Sequence, residues 1–162
     1  MTSALRWFDD GLWHKVNRND PRGRALADKH YSRQTPGAVD FLASGKTFCL
    51  LTDDAKAVWG VIENLDPAGG LHWRCAIFRN TGPHLSSDLV REATERTFVY
   101  WRRKWGGLPP VPLRTEVDPD KTRRKRDPGR CFVKAGWRRL KERTTKGLVQ
   151  LEAPMPPDWR AA

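Results

Sequence analysis

The segment Leu71–Trp105 restricts the fold more than any other part of the chain, because it joins a strand pattern to a long helix pattern through a short polar loop. Leu71 to Phe78 is rich in aromatic and branched residues, as strands are. The turn formers Arg-Asn-Thr-Gly-Pro follow at 79–83. From Ser86, a predicted N-cap, apolar side chains recur at helical spacing as far as Trp105. A loop that leads from a strand into a helix directs several backbone N–H groups into one space. The loop is therefore predicted to bind an anion and to form the base of an active site.

Composition indicates one α/β domain with a basic surface. The 162 residues suffice to bury a real core. A single domain is predicted over residues 1–153, with a frayed, proline-rich tail over 154–162. Lys and Arg number 30 against 19 Asp and Glu, a formal net charge of +11, which favours an acidic partner, usually nucleic acid. A basic but otherwise ordinary enzyme is the alternative.

The cysteines and the hydropathy pattern indicate the compartment. The three cysteines are odd in number and form no CxxC pair, which argues against a disulfide framework and against a zinc knuckle. No apolar run reaches the length of a membrane span, and no signal peptide is visible at the N-terminus. We therefore predict a soluble protein of the reducing cytoplasm, with no membrane partner.

The other segments predict a mostly antiparallel sheet with helices around it. The first 19 residues are either a strand or an irregular segment packed on the sheet. Asp20-Pro21 begins a short helix that leads to His30, and a long loop follows. Two apolar runs around a polar turn, Thr47–Leu51 and Ala57–Glu63, predict an antiparallel hairpin. The elements after the long helix are predicted as a strand, a short helix and a hairpin, over Leu113–Val117, Arg130–Ala135, Trp137–Arg143 and Gly147–Glu152.

This order of elements resembles that of the GNAT acetyltransferase superfamily. Arg79-Asn80-Thr81-Gly82-Pro83-His84 stands where that superfamily has its R-x-x-G-x-G/A pyrophosphate loop, and residues 127–137 resemble its late short helix and the segment after it. The resemblance implies one GNAT-like domain with a mixed, mostly antiparallel central sheet. His84 replaces the second glycine and Pro83 removes an N–H donor, so acyl-CoA is not favoured as the donor. Cys131 or Phe132 also stands where the superfamily usually has a tyrosine.

The chain is more narrowly similar to the Mom-type DNA-modification proteins of bacteriophages, a divergent branch with the GNAT fold. The matching residues are His30-Tyr31 after the first helix, Arg79 closing the central strand and Asp118 ending the next long strand. The resemblance implies transfer of a carbamoylmethyl group to N6 of adenine in duplex DNA, which protects the DNA from restriction. It places the protein in the host cytoplasm if it is phage-encoded. It also implies an association with iron and leaves the donor unknown.

By this resemblance His30, Tyr31 and Asp118 are the predicted catalytic residues. His30 would be a base or a metal ligand, or else only a cation at a helix C-terminus. Tyr31 would orient or stack on a flipped base, or else anchor the loop. Asp118 would accept a proton or hold a metal, or else form an Asp-Pro turn. His30 and Asp118 would be two ligands of an iron site, which usually has a third.

Two further groups of residues are predicted to bind the donor and the DNA. Arg79, Gly82 and Ser86 would form the donor site, with Arg79 clamping a carboxylate or phosphate. Otherwise Arg79 is a solvated strand end and Ser86 only a cap. The basic residues predicted to grip DNA phosphates are Arg33, Lys121, Arg123, Arg124, Lys125 and Arg126. Such a charge run is otherwise a solvated face.

Two other functions stay open on the sequence. One is an acetyl-CoA-dependent N-acetyltransferase that acts on an amine of a small molecule or a protein. The other is a non-catalytic DNA-binding protein with the same fold. The oligomeric state is also open, with a homodimer as one option.

Overall fold

Seven strands form one mixed sheet in the computed structural model, which describes residues 11–30, 38–121 and 128–161. The elements in chain order are β1 (Trp13–Val16), α1 (Pro21–Asp28), β2 (Lys46–Thr52), β3 (Ala57–Leu65), β4 (Leu71–Asn80), α2 (Ser86–Trp105), β5 (Arg114–Val117), α3 (Arg130–Lys134), β6 (Arg138–Arg139) and β7 (Val149–Glu152). The strand order is β1-β2-β3-β4-β5-β7-β6. The predicted combination of a mixed sheet with flanking helices is confirmed at this level. Within the described ranges no helix is both long enough and apolar enough to cross a membrane.

The central pair β4 and β5 is parallel, whereas the other neighbouring strands are antiparallel. The parallel register joins Arg74 to Arg114 and Cys75 to Thr115. The Thr115 hydroxyl adds a hydrogen bond of 2.9 Å to the Cys75 carbonyl. Beyond this register β4 continues to Asn80 and β5 continues to Val117. The two strands therefore separate toward their carboxyl ends.

A β-bulge in β4 sets the orientation of the residues that end the strand. Gly60 of β3 pairs with Ile77 but Val61 pairs with Cys75, so Ala76 is the extra residue. Ala76 and Ile77 both pack on the side of the sheet that α1 covers, whereas Phe78 packs on the α2 side. Arg79, which follows Phe78, consequently points toward α1.

Each face of the sheet is covered by a separate hydrophobic core. The larger core lies under α2 and α3 and includes Trp13, Phe48, Trp59, Trp73 and Trp101. The smaller core lies under α1 and the segment before β2, and it includes Val16, Leu26, Phe41, Leu42 and Ile77. α1 therefore rests on the half of the sheet that ends at Arg79.

The local predictions made for α1 and for the β2–β3 hairpin are confirmed. Asp20 is the N-cap of α1, and its carboxylate accepts the Arg22 N–H at 2.9 Å, with Pro21 as the first helical residue. β2 and β3 pair as the predicted antiparallel hairpin. The N-terminal segment was expected to be either a strand or an irregular segment. It includes the edge strand β1, which pairs with β2.

Three local predictions are wrong. The N-cap of α2 is Leu85 rather than Ser86, which is the first helical residue. The first strand of the last hairpin is Arg138–Arg139, far shorter than predicted, although the Leu140 N–H beyond it still donates to the Gln150 carbonyl of β7 at 2.9 Å. The C-terminal tail is docked rather than frayed, because the Trp159 indole N–H donates to the Pro109 carbonyl at 2.9 Å.

Glu92 of α2 fixes the edge strand β1, and this yields a test of the fold. Its carboxylate accepts the backbone N–H groups of Leu12 and Trp13 at 3.0–3.1 Å and pairs with the buried Arg96 at 3.4 Å. We expect Glu92→Ala to lower the free energy of unfolding by about 2–3 kcal/mol, because it leaves buried donors with one partner fewer. Urea unfolding measures this change. Glu95→Ala, an exposed position on the same helix, is the matched control and should change stability by less than about 0.5 kcal/mol.

Candidate functional site

His30 and Arg79 meet at the carboxyl end of α1. The Arg79 guanidinium donates to the Leu26 carbonyl at 3.1 Å, and the His30 backbone N–H donates to the Ala27 carbonyl at 2.9 Å. A guanidinium is well placed there, because helix carbonyls at the C-terminus lack partners within the helix and carry partial negative charge. Arg79 is half-buried and hydrogen-bonded, so it is not the solvated strand end that was the alternative for it.

The imidazole of His30 is neutral at neutral pH. Burial lowers its pKa from the ordinary 6.5 to about 4, and the positive charge of Arg79 acts in the same direction. The C-cap residue of α1 is Lys29, and a neutral imidazole is not a cation at the helix end. The helix-cap alternative therefore does not describe His30. A half-buried neutral imidazole beside a fixed guanidinium can accept a hydrogen bond from a bound amine.

Asp118 lies one strand away from Arg79, at the carboxyl end of β5. Cys75 of β4 and Thr115 of β5 are paired in the parallel register. Asp118 comes three residues after Thr115. Arg79 comes four residues after Cys75, but one of these four is the bulge residue Ala76, so both lie three regular steps beyond the pair. Counted from the paired residues, Arg79 and Asp118 therefore lie at the same level along their strands, beyond the point where β4 and β5 stop pairing. Ligands of open α/β sheets bind in such crevices beyond the carboxyl ends of the strands. Asp118 also accepts the Asp120 N–H at 3.0 Å, so the turn role that was its alternative is present as well.

Asn80 organises the loop between β4 and α2. Its side-chain oxygen accepts the Gly82 N–H at 3.0 Å. Its side-chain nitrogen donates to the His84 carbonyl at 2.8 Å and to the Ser86 hydroxyl at 3.0 Å. One asparagine thus holds the loop together from its first residue to the start of the helix. Sequence reasoning counted Asn80 only as a turn former and missed this role.

Thr81 and Gly82 do not form the anion-binding site that was predicted for this loop, because their backbone N–H groups donate to other groups of the protein. The Thr81 N–H donates to the Lys56 carbonyl at 2.8 Å, and the Gly82 N–H is held by Asn80. A Cβ at Gly82 would come within 2.9 Å of the Lys56 Cβ. This glycine is therefore required by contact with the turn between β2 and β3.

Several of the predicted site residues lie outside the described part of the chain. They are Tyr31, Arg33, Arg123, Arg124, Lys125 and Arg126. Lys121 is described and is exposed, three residues after Asp118. The structure thus brings His30 and Arg79 together, places Asp118 at the level of Arg79 on the neighbouring strand, and extends a basic side chain from the segment that follows Asp118.

Two observations bear on other chemistry at the site. Within the described ranges no three or more His, Cys, Asp or Glu side chains are grouped so that they could hold a metal ion. His30 and Asp118 thus gain no third ligand there, and the described residues do not make up an iron site. Burial raises the pKa of the Cys49 thiol to about 12 and also raises that of Cys75, so neither is a ready thiolate nucleophile.

Comparison of the chain with protein-family models, with curated proteins and with solved structures gives no match. A function is accordingly inferred from the site geometry, from the charge of the chain and from the sequence resemblance described above.

We expect Arg79→Gln to raise the pKa of His30 above about 4 but to leave it below 6.5. The guanidinium charge is only the second cause of the low pKa, and burial remains in the variant. Titration of the His30 ring protons by NMR measures the shift. Arg74→Gln removes the same charge from an exposed position five residues earlier on β4 and should leave this pKa unchanged. An unchanged value in Arg79→Gln would contradict the proximity of the Arg79 charge to His30.

The low pKa of His30 also predicts how stability depends on pH. The unfolded chain binds a proton at His30 below about pH 6.5, whereas the folded chain resists it down to about pH 4. The stability that the folded chain gains from a neutral His30 is therefore fully present above pH 6.5 and is lost as the pH falls toward 4. Urea unfolding across this window should show a smaller loss of stability in His30→Gln than in the wild type. Parallel curves for the two proteins would rule out a buried neutral imidazole.

Proposed function

We propose that this chain is a DNA base-modifying transferase of the Mom type, built on a GNAT-like sheet, that adds a carbamoylmethyl group to N6 of adenine in duplex DNA. The modification would protect the DNA from restriction. The proposal rests chiefly on one observation, the half-buried position of His30 at the end of α1, close to the Arg79 guanidinium that donates to the Leu26 carbonyl. The level position of Asp118 on β5 and the order of elements along the chain support it.

The charge of the chain supports DNA as the substrate. A net charge of +11 on 162 residues creates a field that attracts a polyanion. Lys121 follows Asp118 closely and begins the basic run predicted to hold phosphates. Contacts of this kind give strong, salt-dependent binding with little dependence on DNA sequence.

The proposed reaction is a substitution at the donor carbon. Adenine N6 forms a bond to the methylene carbon of the donor, the leaving group departs with the electron pair of the bond that breaks, and one N6 proton is lost. A weak base suffices for that proton, because the nitrogen carries positive charge once the new bond has formed. His30 would accept a hydrogen bond from N6–H and orient it, and Asp118 would take up the proton.

Arg79 is the residue proposed to bind the donor. A guanidinium has five N–H donors in a planar fork, and the contact with Leu26 uses one edge of it and fixes its orientation. Such a fixed fork suits a carboxylate or phosphate of the donor. Thr81 and Gly82 bind within the protein, so the charge of Arg79 would supply most of the attraction.

Access to N6 requires the adenine to leave the base stack. Flipping costs a few kcal/mol, roughly, which the phosphate contacts must offset. Tyr31 follows His30 directly in the sequence and is the residue proposed to stack on the flipped base.

Mass spectrometry of nucleosides tests the proposed function directly. Plasmid DNA recovered from cells that express the protein should contain a new adenosine-derived mass, larger by the carbamoylmethyl group. We expect His30→Ala to abolish this product. His72→Ala is the matched control, because His72 is exposed, pairs with Asp66 at 2.7 Å and belongs to the opposite end of β4. It should leave the product unchanged.

Two results would replace this proposal with another function. Unmodified DNA together with a higher melting temperature of the purified protein in acetyl-CoA would indicate an N-acetyltransferase. Tight DNA binding that yields no modified nucleoside, in the wild type and in His30→Ala alike, would indicate a non-catalytic DNA-binding protein.

A further inference from the structure

A cleft of about 340 Å³ lies near the amino end of α1, away from His30. It is formed by the end of β1 and the residues after it, by the start of β2 and by one residue of α2. α1 has eight residues, so its two ends are about 12 Å apart. The cleft is lined by Lys15, Val16, Asn17, Arg18, Asn19, Asp40, Thr47, Phe48, Cys49 and Tyr100.

Two basic side chains give the cleft its charge. Arg18 is held in place, because its guanidinium donates to the Leu42 carbonyl at 3.1 Å and pairs with Asp40 at 3.4 Å. Lys15 is exposed, and its ammonium lies 5.6 Å from the centre of the Tyr100 ring. With Asp40 counted against them, Lys15 and Arg18 leave one net positive charge at the cleft, which favours an anionic ligand.

The wall of the cleft is aromatic. The half-buried Tyr100 ring stacks on the buried Phe48 ring, with centroids 4.4 Å apart and an interplanar angle of 17°. Phe48 thus supports Tyr100 from behind and keeps the ring in a fixed plane. The same arrangement continues outward, since Trp105 lies 5.4 Å from Tyr100 and Lys46 lies 5.4 Å from the Trp105 ring. Fixed rings interleaved with cations are typical of surfaces that bind bases and phosphates together.

We propose that this cleft binds a nucleotide, with the base on Tyr100 and the phosphate between Lys15 and Arg18. Lys15 is exposed and carries its ammonium on a flexible four-carbon stem, so it can turn from the ring to a phosphate, whereas Arg18 is already oriented by Leu42 and Asp40. The nucleotide is either one unit of a single strand or a free mononucleotide, since both present the same base and phosphate. This site is separate from His30 and Arg79, and its evidence does not depend on the reaction proposed for them.

Binding measurements with dAMP and with a short single-stranded oligodeoxynucleotide test the cleft. We expect Lys15→Gln to weaken binding about fivefold. For the oligonucleotide it should also reduce the slope of log affinity against log salt by about one. Lys146→Gln, an exposed position in the turn before β7, removes the same charge and should alter neither quantity.

A second pair of variants tests the ring itself. Tyr100→Phe keeps the aromatic plane and should bind as the wild type does, whereas Tyr100→Leu should bind several-fold more weakly. Melting temperatures confirm that the compared proteins are folded. A Lys15→Gln effect on dAMP as well as on the oligonucleotide would identify a mononucleotide site, and an effect on the oligonucleotide alone would identify a strand-binding site. Equal affinities of Lys15→Gln and Lys146→Gln for both probes would overturn the proposal.

Discussion

The hydrogen bond from Arg79 to the Leu26 carbonyl joins the central strand β4 to the end of α1, and the candidate site depends on it. It forms because the bulge at Ala76 turns the end of β4 toward α1. Gly60 makes room for the bulge, since a Cβ there would come within 2.9 Å of Ile77. The hydrogen bond fixes the guanidinium close to His30, where its charge adds to burial, the larger cause, in lowering the pKa of that imidazole. Backbone geometry in the middle of the sheet thus decides where the Arg79 charge lies relative to His30.

The loop after β4 shows how a likeness in sequence can differ from a likeness in hydrogen bonding. Its residues resemble a pyrophosphate loop, yet Asn80 and the Lys56 carbonyl take up the N–H groups of Gly82 and Thr81. A loop that satisfies its own donors is rigid and offers few of them to a ligand. An anionic donor group would then depend on the charge of Arg79, which is consistent with a donor other than acyl-CoA.

The two ends of α1 carry the two sites inferred for this chain. His30 and Arg79 lie at its carboxyl end, and the cleft with Arg18 and Tyr100 lies near its amino end. The helix between them is about 12 Å long, a length that corresponds to about three to four nucleotide steps along a B-DNA strand. If both sites function as proposed, one strand can contact them together, and weak binding in the cleft would raise the effective concentration of DNA at His30.

Local chemistry was readable from the sequence, whereas contacts between distant segments were not. The α1 cap at Asp20-Pro21, the β2–β3 hairpin and the long helix α2 follow from interactions among near neighbours, and sequence predicted them. His30 and Arg79 were singled out by resemblance, but their proximity brings together residues 49 positions apart in the chain. The bulge, the parallel β4–β5 pair, the role of Asn80 and the Tyr100 cleft were decided only by packing. These features form when segments far apart in the chain pack onto a common core, and a local sequence pattern does not show which distant segments will meet.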